Sequence, residues 1–398
     1  MKYDVSIKSN MHIAIISFFH TESSMCLAKY LAKCGNYVDF YYVSNLLHDR
    51  RTTSGFEYLY AKKSLGNHLL SYKECTEIYS YVEGLPVRFF LSRIIHHERY
   101  PWVNRILMRI NMLQVRNRHY DAINIVGQTS WIHEAHDVLK KENLIHTFHE
   151  LGQHDGPLVP LSIIRRAIED HSKVILHSKI TYDRFLSISG SEQNRTKMIP
   201  FGKFETLRLY VKEADLELPF PSIDKPLLLF YGFLLPYKGL DVLAKSLSLL
   251  KDIWDRFNLI IAGNGNDASL PFFQTLPNCH IINRYLSNDE MMNLIRQSSA
   301  ILLPYKSASQ TGIIPTCALY GKPCIATRVG AFSEMIQDGK NGVLVEPNNP
   351  TAFANAIHRI VFDSSLRSTL SEGAARFGEN DKYSWEIIAE QTINFYSE

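Results

Sequence analysis

The chain has 398 residues, 45% of them apolar and 21% charged, a globular composition that argues against disorder away from the ends and suits two or three domains. Its formal charge of +3 is too small to point to nucleic acid. Six scattered cysteines, with no CxxC pair and no zinc-like His/Cys spacing, are expected to be reduced thiols of a cytoplasmic protein without a bound metal. MKYDVSIKSN lacks the apolar region of a signal peptide and no window reaches 18 continuous apolar residues, so no membrane-spanning segment is expected.

The first strand is HIAIIS, residues 12–17, an apolar run suited to burial on both faces. Met25, Leu27, Ala28, Leu31 and Ala32 then have helical spacing, Gly35 and Asn36 stop the helix, and Tyr37 to Val43 reads as a second strand. This order predicts a parallel sheet with right-handed crossovers. The turn SFFHTESS contains no glycine, which counts against a dinucleotide fingerprint.

Residues 87–118 are basic and apolar together: seven arginines (Arg88, Arg93, Arg99, Arg105, Arg109, Arg116, Arg118) with a single acid, Glu98. The stretch reads as helical, with its arginines on a solvated face. A second reading places it on an anionic membrane surface through Arg93, Arg105 and Arg109. RNA is a weaker third, because no stacking motif accompanies the charge.

Strand DAINIV follows, then a helix from about Ser130 to Lys141 and strand LIHTF. The polar cluster His149, Glu150, Gln153, His154, Asp155 and Gly156 comes directly after that strand, where ligands of open α/β sheets bind. A helix from Leu161 to Asp170, strand KVILHS and a helix from Thr181 to Ser187 complete the first half, and residues 203–226 read as connector.

LLLFYG opens a second α/β domain, with Tyr237, Lys238 and Gly239 at the start of a helix carrying Leu240, Leu243, Leu247 and Leu250. Asn258 to Ala262 is a strand ending in GNG, and Ser287 with Glu290 forms a capping box. Strand AILLP delivers the chain to YKSASQTGIIPTCALYGKPCIATRVG. There Thr311 and Gly312 open a short helix, Pro315 fits its first turn, and Gly321 with Pro323 closes it. Such a start offers N–H groups to an anion, although a short core helix between two strands fits the same residues. The last helix runs from about Ser384 to Tyr396.

Three segments of this half, FYGFLLPYKGLDVLAKSL, LIIAGNG and LLPYKSASQTGIIPTCALYGKPCIATRVGAFSEMIQDGKNGVLVEP, resemble the nucleotide-sugar domain of retaining glycosyltransferases of family four, the glycosyl transferases group 1. HTFHELGQHDG and KVILHS are similar to the weaker motifs of its other domain. The resemblance implies an α/β protein of GT-B fold, in which two Rossmann-like parallel-sheet domains face a central cleft. The domains would be 1–202, with a returning helix 384–398 anchored by Trp385, a connector 203–226, and 227–383. It further implies transfer of a sugar, with retention, from a UDP- or GDP-sugar to a glycan or lipid-linked acceptor hydroxyl in polysaccharide biosynthesis. No cofactor or metal is required, and the protein would work in the cytoplasm or at the inner face of the membrane.

Carried onto this chain, the resemblance makes His149 and Lys238 the catalytic residues. Gly232, Gly263, Gly265, Tyr285, Leu286, Gln310, Thr311, Gly312, Ile313 and Thr316 become donor-binding residues, with His154 and Asp155 on the acceptor side. Negative charge grows on the leaving phosphate, so Lys238 and the N–H groups of Thr311, Gly312 and Ile313 would meet it. The chain departs from the commoner pattern at Ala308 and Thr316, which stand where a glutamate pair is usual, at Phe233 in place of a basic residue, and at FFHTESS in place of a glycine-rich turn. SASQTGIIP resembles a subset lacking the first glutamate. The departures motivate an alternative, a noncatalytic GT-B partner subunit that binds a nucleotide sugar or glycan.

Overall fold

Aliphatic and β-branched runs such as HIAIIS and LLLFY have no polar face to give to water, and in the computed structural model they are the inner strands of two sheets. The structure describes residues 10–18, 20–45, 66–95, 100–127, 131–151, 161–190, 192–211, 217, 218, 220 and 225–398. Two compact units result: one runs to Gly202 and takes back Asn380–Glu398, and the other is Lys203–Glu379.

The first unit contains β1 (His12–Ser17), α1 (Thr21–Lys33), β2 (Tyr37–Asn45), β3 (Asn67–Leu69), α2 (Thr76–Tyr81), β4 (Val87–Ile94), α3 (Pro101–Arg116), β5 (Ala122–Val126), α4 (Ile132–Leu139), β6 (Leu144–Phe148), α5 (Leu161–Glu169), β7 (Lys173–Leu176), α6 (Lys179–Ser189) and β8 (Thr196–Met198). Its sheet has the order β3-β4-β2-β1-β5-β6-β7-β8, parallel except for β3. Met108, Met112, Val115, Ile132, Leu139, Ile163 and Ile164 from α3, α4 and α5 form one core with Ile16, Phe90, Ile125 and Phe148 of the strands. The arrangement is a helical layer burying its apolar stripe on a sheet.

The second unit contains β9 (Leu227–Tyr231), α7 (Leu240–Ser248), β10 (Asn258–Ala262), α8 (Leu270–Gln274), β11 (Cys279–Ile282), α9 (Asn288–Gln297), β12 (Ala300–Leu303), α10 (Ile313–Ala318), β13 (Cys324–Thr327), α11 (Phe332–Met335), β14 (Gly342–Val345), α12 (Pro350–Phe362) and α13 (Ser364–Ala375). Its six strands are all parallel, in the order β11-β10-β9-β12-β13-β14. The capping box at α9 forms, with Ser287 Oγ accepting from Glu290 N–H.

The final helix, α14 (Trp385–Ser397), belongs to the first unit. Trp385 is buried and stacks on Tyr30 of α1, ring centroids 6.2 Å apart. Tyr396 accepts from Asn124 Nδ2 at its hydroxyl (2.7 Å) and from Asn143 Nδ2 at its carbonyl (2.9 Å), tying the helix to β5 and to the entry of β6.

Two expectations need correction. Residues 87–118 are not one helical stretch: Val87–Ile94 is strand β4, held between β2 and β3, and helix begins only at Pro101. Arg93 is fully buried in that strand, so it cannot reach a lipid surface. The expected connector 203–226 opens with a 3-10 turn, Glu205–Tyr210, whose Arg208 donates to the carbonyl of Leu319, so its first part is built into the second unit.

Candidate functional site in the second unit, and a histidine cluster in the first

In the second unit the chain moves outward from β9 through β10 to β11, then returns beside β9 with β12 and moves the other way. Loops after β9 and β12 therefore part in opposite directions, leaving a crevice at their carboxyl ends, the place where open α/β sheets bind ligands. Most of the donor-side candidates follow these strands. Gly232 follows β9, Gly263 and Gly265 follow β10, Tyr285 and Leu286 follow β11, and Gln310, Thr311, Gly312, Ile313 and Thr316 follow β12.

The loops meet through close backbone approach. Gly263 has φ 151°, and a side chain there would overlap the carbonyl of Gly232. Gly239 has φ 73°, and its missing side chain leaves room for the carbonyl of Pro304 at the end of β12. The carbonyl of Tyr237 accepts from Lys306 N–H at 2.7 Å, and Lys306 Nζ lies 2.8 Å from Asp241 at the start of α7. The turn after β9 and the loop after β12 are thus pinned together.

Lys238 sits in that junction. It closes a 3-10 turn, Pro236–Lys238, just before the helix rather than on it. The residue is only 7% exposed, and its ammonium donates to Tyr305 Oη at 2.8 Å. Burial holds the Tyr305 phenol well above its usual pKa, so it is a neutral acceptor. The ammonium also lies 2.6 Å from where a β-carbon on Gly232 would be, so glycine there keeps its approach open. Tyr305 escaped sequence reading because a Tyr after an apolar strand is ordinary core material until its hydroxyl is seen on a lysine.

The loop before α10 differs from expectation. The N–H of Thr311 is taken by Gln310 Oε1 (3.0 Å) and that of Ile313 by Thr311 Oγ1 (3.1 Å). Two of the three N–H groups assigned to an anion are therefore satisfied by neighbouring side chains. Gly312 is the N-cap of a helix of only six residues, and Phe204 packs where a Gly312 side chain would stand. Thr316 is buried, and its hydroxyl donates to the carbonyl of Gly312 at 2.7 Å. In exchange, Gln310 Nε2 is a buried amide donor without a partner, the kind of group that a bound ligand would satisfy. Phe233 is exposed, with its ring 6.2 Å from Tyr285, also exposed. Leu286 lines an open pocket of about 440 Å³ with Arg284, Glu290 and Leu294.

His149 belongs to the first unit, whose sheet reverses direction between β1 and β5. It follows β6, is 4% exposed, and stacks on His20 with centroids 3.7 Å apart and planes 12° from parallel. His177, after β7, lies 4.4 Å from His149, and Phe201 5.7 Å. Burial lowers all three imidazoles, His20 and His177 to about 4 and His149 well below the ordinary 6.5. They are neutral at pH 7. His177 Nδ1 donates to the carbonyl of Ile199 (2.7 Å), leaving Nε2 as a buried acceptor without a partner. Among the described residues no group of three His, Cys, Asp or Glu could hold a metal ion. His20 and His177 were not read as site residues, since only the parallel sheet gathers the ends of β1, β6 and β7. His154 and Asp155 lie outside the described residues.

Residues 217–377 match the family model described as Glycosyl transferases group 1. An uncharacterized glycosyltransferase of Methanocaldococcus jannaschii is 34% identical over 43% of this chain and 47% of its own length. A D-inositol 3-phosphate glycosyltransferase of Nocardioides sp. is 22% identical over 70% of this chain and 67% of its own. These alignments span about half to two thirds of the relatives. The crystal structure of Anabaena HepE in complex with UDP-glucose superposes with a TM-score of 0.61 at 15% identity, covering 97% of this chain and 100% of that one. The fold is GT-B, and the stretch that matches glycosyl transferases group 1 is the unit built around β9.

Proposed function

We propose that the chain is a glycosyltransferase that takes a sugar from a nucleoside diphosphate sugar and passes it, with retention, to the hydroxyl of a glycan or lipid-linked acceptor in polysaccharide biosynthesis. The observation that carries the proposal is the buried Lys238 ammonium at the switch point of the second sheet, oriented by Tyr305 beside Gly232. In the reaction the bond from the anomeric carbon to the diphosphate oxygen breaks, a bond to the acceptor oxygen forms, and the acceptor proton leaves to the phosphate. Charge grows on the leaving oxygen, and a fixed ammonium in a water-poor site stabilises it more than water does. Gln310 Nε2 is the natural second donor to the diphosphate or to a sugar hydroxyl. Neutral His149 suits a hydrogen bond to a hydroxyl group rather than proton donation from an imidazolium.

Likeness to UDP-glucose-bound HepE supports a nucleotide sugar as donor class. The relatives named above are called glycosyltransferases, which does not favour the noncatalytic reading. Incubating the protein with a panel of UDP- and GDP-sugars tests the reading. Slow hydrolysis of one donor to a product of unchanged anomeric configuration is expected, with Lys238→Ala reducing the rate ~100-fold or more. No turnover of any donor, or full turnover by Lys238→Ala, would contradict it.

A further inference from the structure

Helix α3 presents a face to solvent that its own unit does not use. Asn104, Met108, Asn111, Met112 and Val115 turn inward. On the outer side Trp102 is 69% exposed, Ile106 52%, Ile110 44% and Leu113 39%. At ~100° per residue these four fall within a ~80° arc, and Arg105, Arg109 and Arg116 occupy the adjoining ~40°. Residues 101–118 hold four arginines and no acid, more positive charge than the net +3 of the whole chain. Arg105 Nε bonds Glu134 (2.7 Å) and Arg109 lies 3.3 Å from Asp137, both acids of α4, while the two arginine side chains stay more than half exposed. Asp137 is shared with Arg166 of α5 at 2.7 Å. The acids therefore hold the guanidinium groups along the edge of the apolar arc without cancelling the charge of the face.

We infer that this face seats the first unit on an anionic lipid bilayer. Four large apolar side chains in one stripe exceed the scattered exposure normal for a soluble surface. An apolar stripe ending in an exposed Trp, flanked on one side by arginines, matches the two halves of a lipid interface: acyl chains for the stripe and phosphate headgroups for the guanidinium row. Among the described residues no helix is long and apolar enough to cross a membrane, so the contact is one of lying on the surface. The inference does not depend on the donor chemistry proposed above.

Trp102 reports on it directly, since Trp131 and Trp385 are buried and Trp254 is partly covered. The full chain should pellet with vesicles of phosphatidylcholine mixed with phosphatidylglycerol, with a blue shift of tryptophan emission, and much less with phosphatidylcholine alone. Raising the salt should weaken the binding. Ile106→Glu with Ile110→Glu, both at exposed positions, should keep the melting temperature and lose ~10-fold or more of the vesicle affinity. Trp102→Phe should still pellet and lose the shift. The inference is overturned if the wild type ignores anionic vesicles at low salt, if the double variant pellets equally, or if emission does not shift. A concentration-dependent dimer abolished by the double variant would overturn it in favour of a second copy on this face.

Discussion

Burial sets the protonation of the histidines, and with it the response to acid. His20, His146, His149 and His177 all titrate below 6.5 in the folded chain, His146 at about 3, because burial penalises the charged ring. Below pH 6.5 the unfolded chain binds protons that the folded chain refuses, so stability is complete above that pH and is lost as pH falls toward 4. Glu22, pushed up to about 7 by the same burial, acts in the opposite sense with one proton against four. The thermal midpoint of the first unit should therefore drop steadily between pH ~6.5 and ~4.5. A flat or rising midpoint across that range would show that the cluster is not buried. At Lys238 the matching prediction is Tyr305→Phe, which removes the Oη contact that orients the ammonium and should weaken nucleotide binding by ~10-fold, read by calorimetry.

The elements that carry the site are held by backbone as much as by side chains. Gly239→Ala would place a side chain at φ 73° against the carbonyl of Pro304. A loss of ~1–3 kcal/mol in unfolding free energy is expected, together with displacement of Lys238 and weaker nucleotide binding. Unchanged stability in denaturant titration would contradict this account of the turn. The sequence made such elements legible where local pattern decides them: the apolar runs of β1, β9 and β12, the capping box of α9, and the glycines of the β9 and β10 loops. It failed where long-range pairing decides. VRFFLSRI reads as the start of a basic helix, yet pairing between β2 and β3 makes it a strand and buries Arg93. CHII is short and half-buried at the sheet edge, so nothing in its periodicity announced β11. Thr311, Gly312 and Pro315 predict an open helix start after β12, but the side chains of Gln310 and Thr311 fold back onto its N–H groups, a choice made by rotamers rather than by residue type.

At the scale of the molecule, each unit places its distinctive polar groups at the carboxyl edge of a sheet whose strand order reverses, and each does so with different chemistry. The second unit offers a cation and an unpartnered amide nitrogen, suited to phosphate and hydroxyl groups, whereas the first offers neutral imidazoles suited to hydrogen bonds alone. On the proposed reading, Ala308 and Thr316 in place of glutamates would leave nucleotide recognition to Lys238, Gln310 and the loops after β9 to β12. We propose that this edge of the second unit holds a nucleoside diphosphate. Calorimetric titration of the full chain with UDP and GDP, repeated on Lys238→Ala, measures it most directly. Saturable one-site binding of at least one of the two is expected, weakened ~10-fold or more in the variant. Binding of neither nucleotide, or binding that Lys238→Ala leaves unchanged, would contradict it.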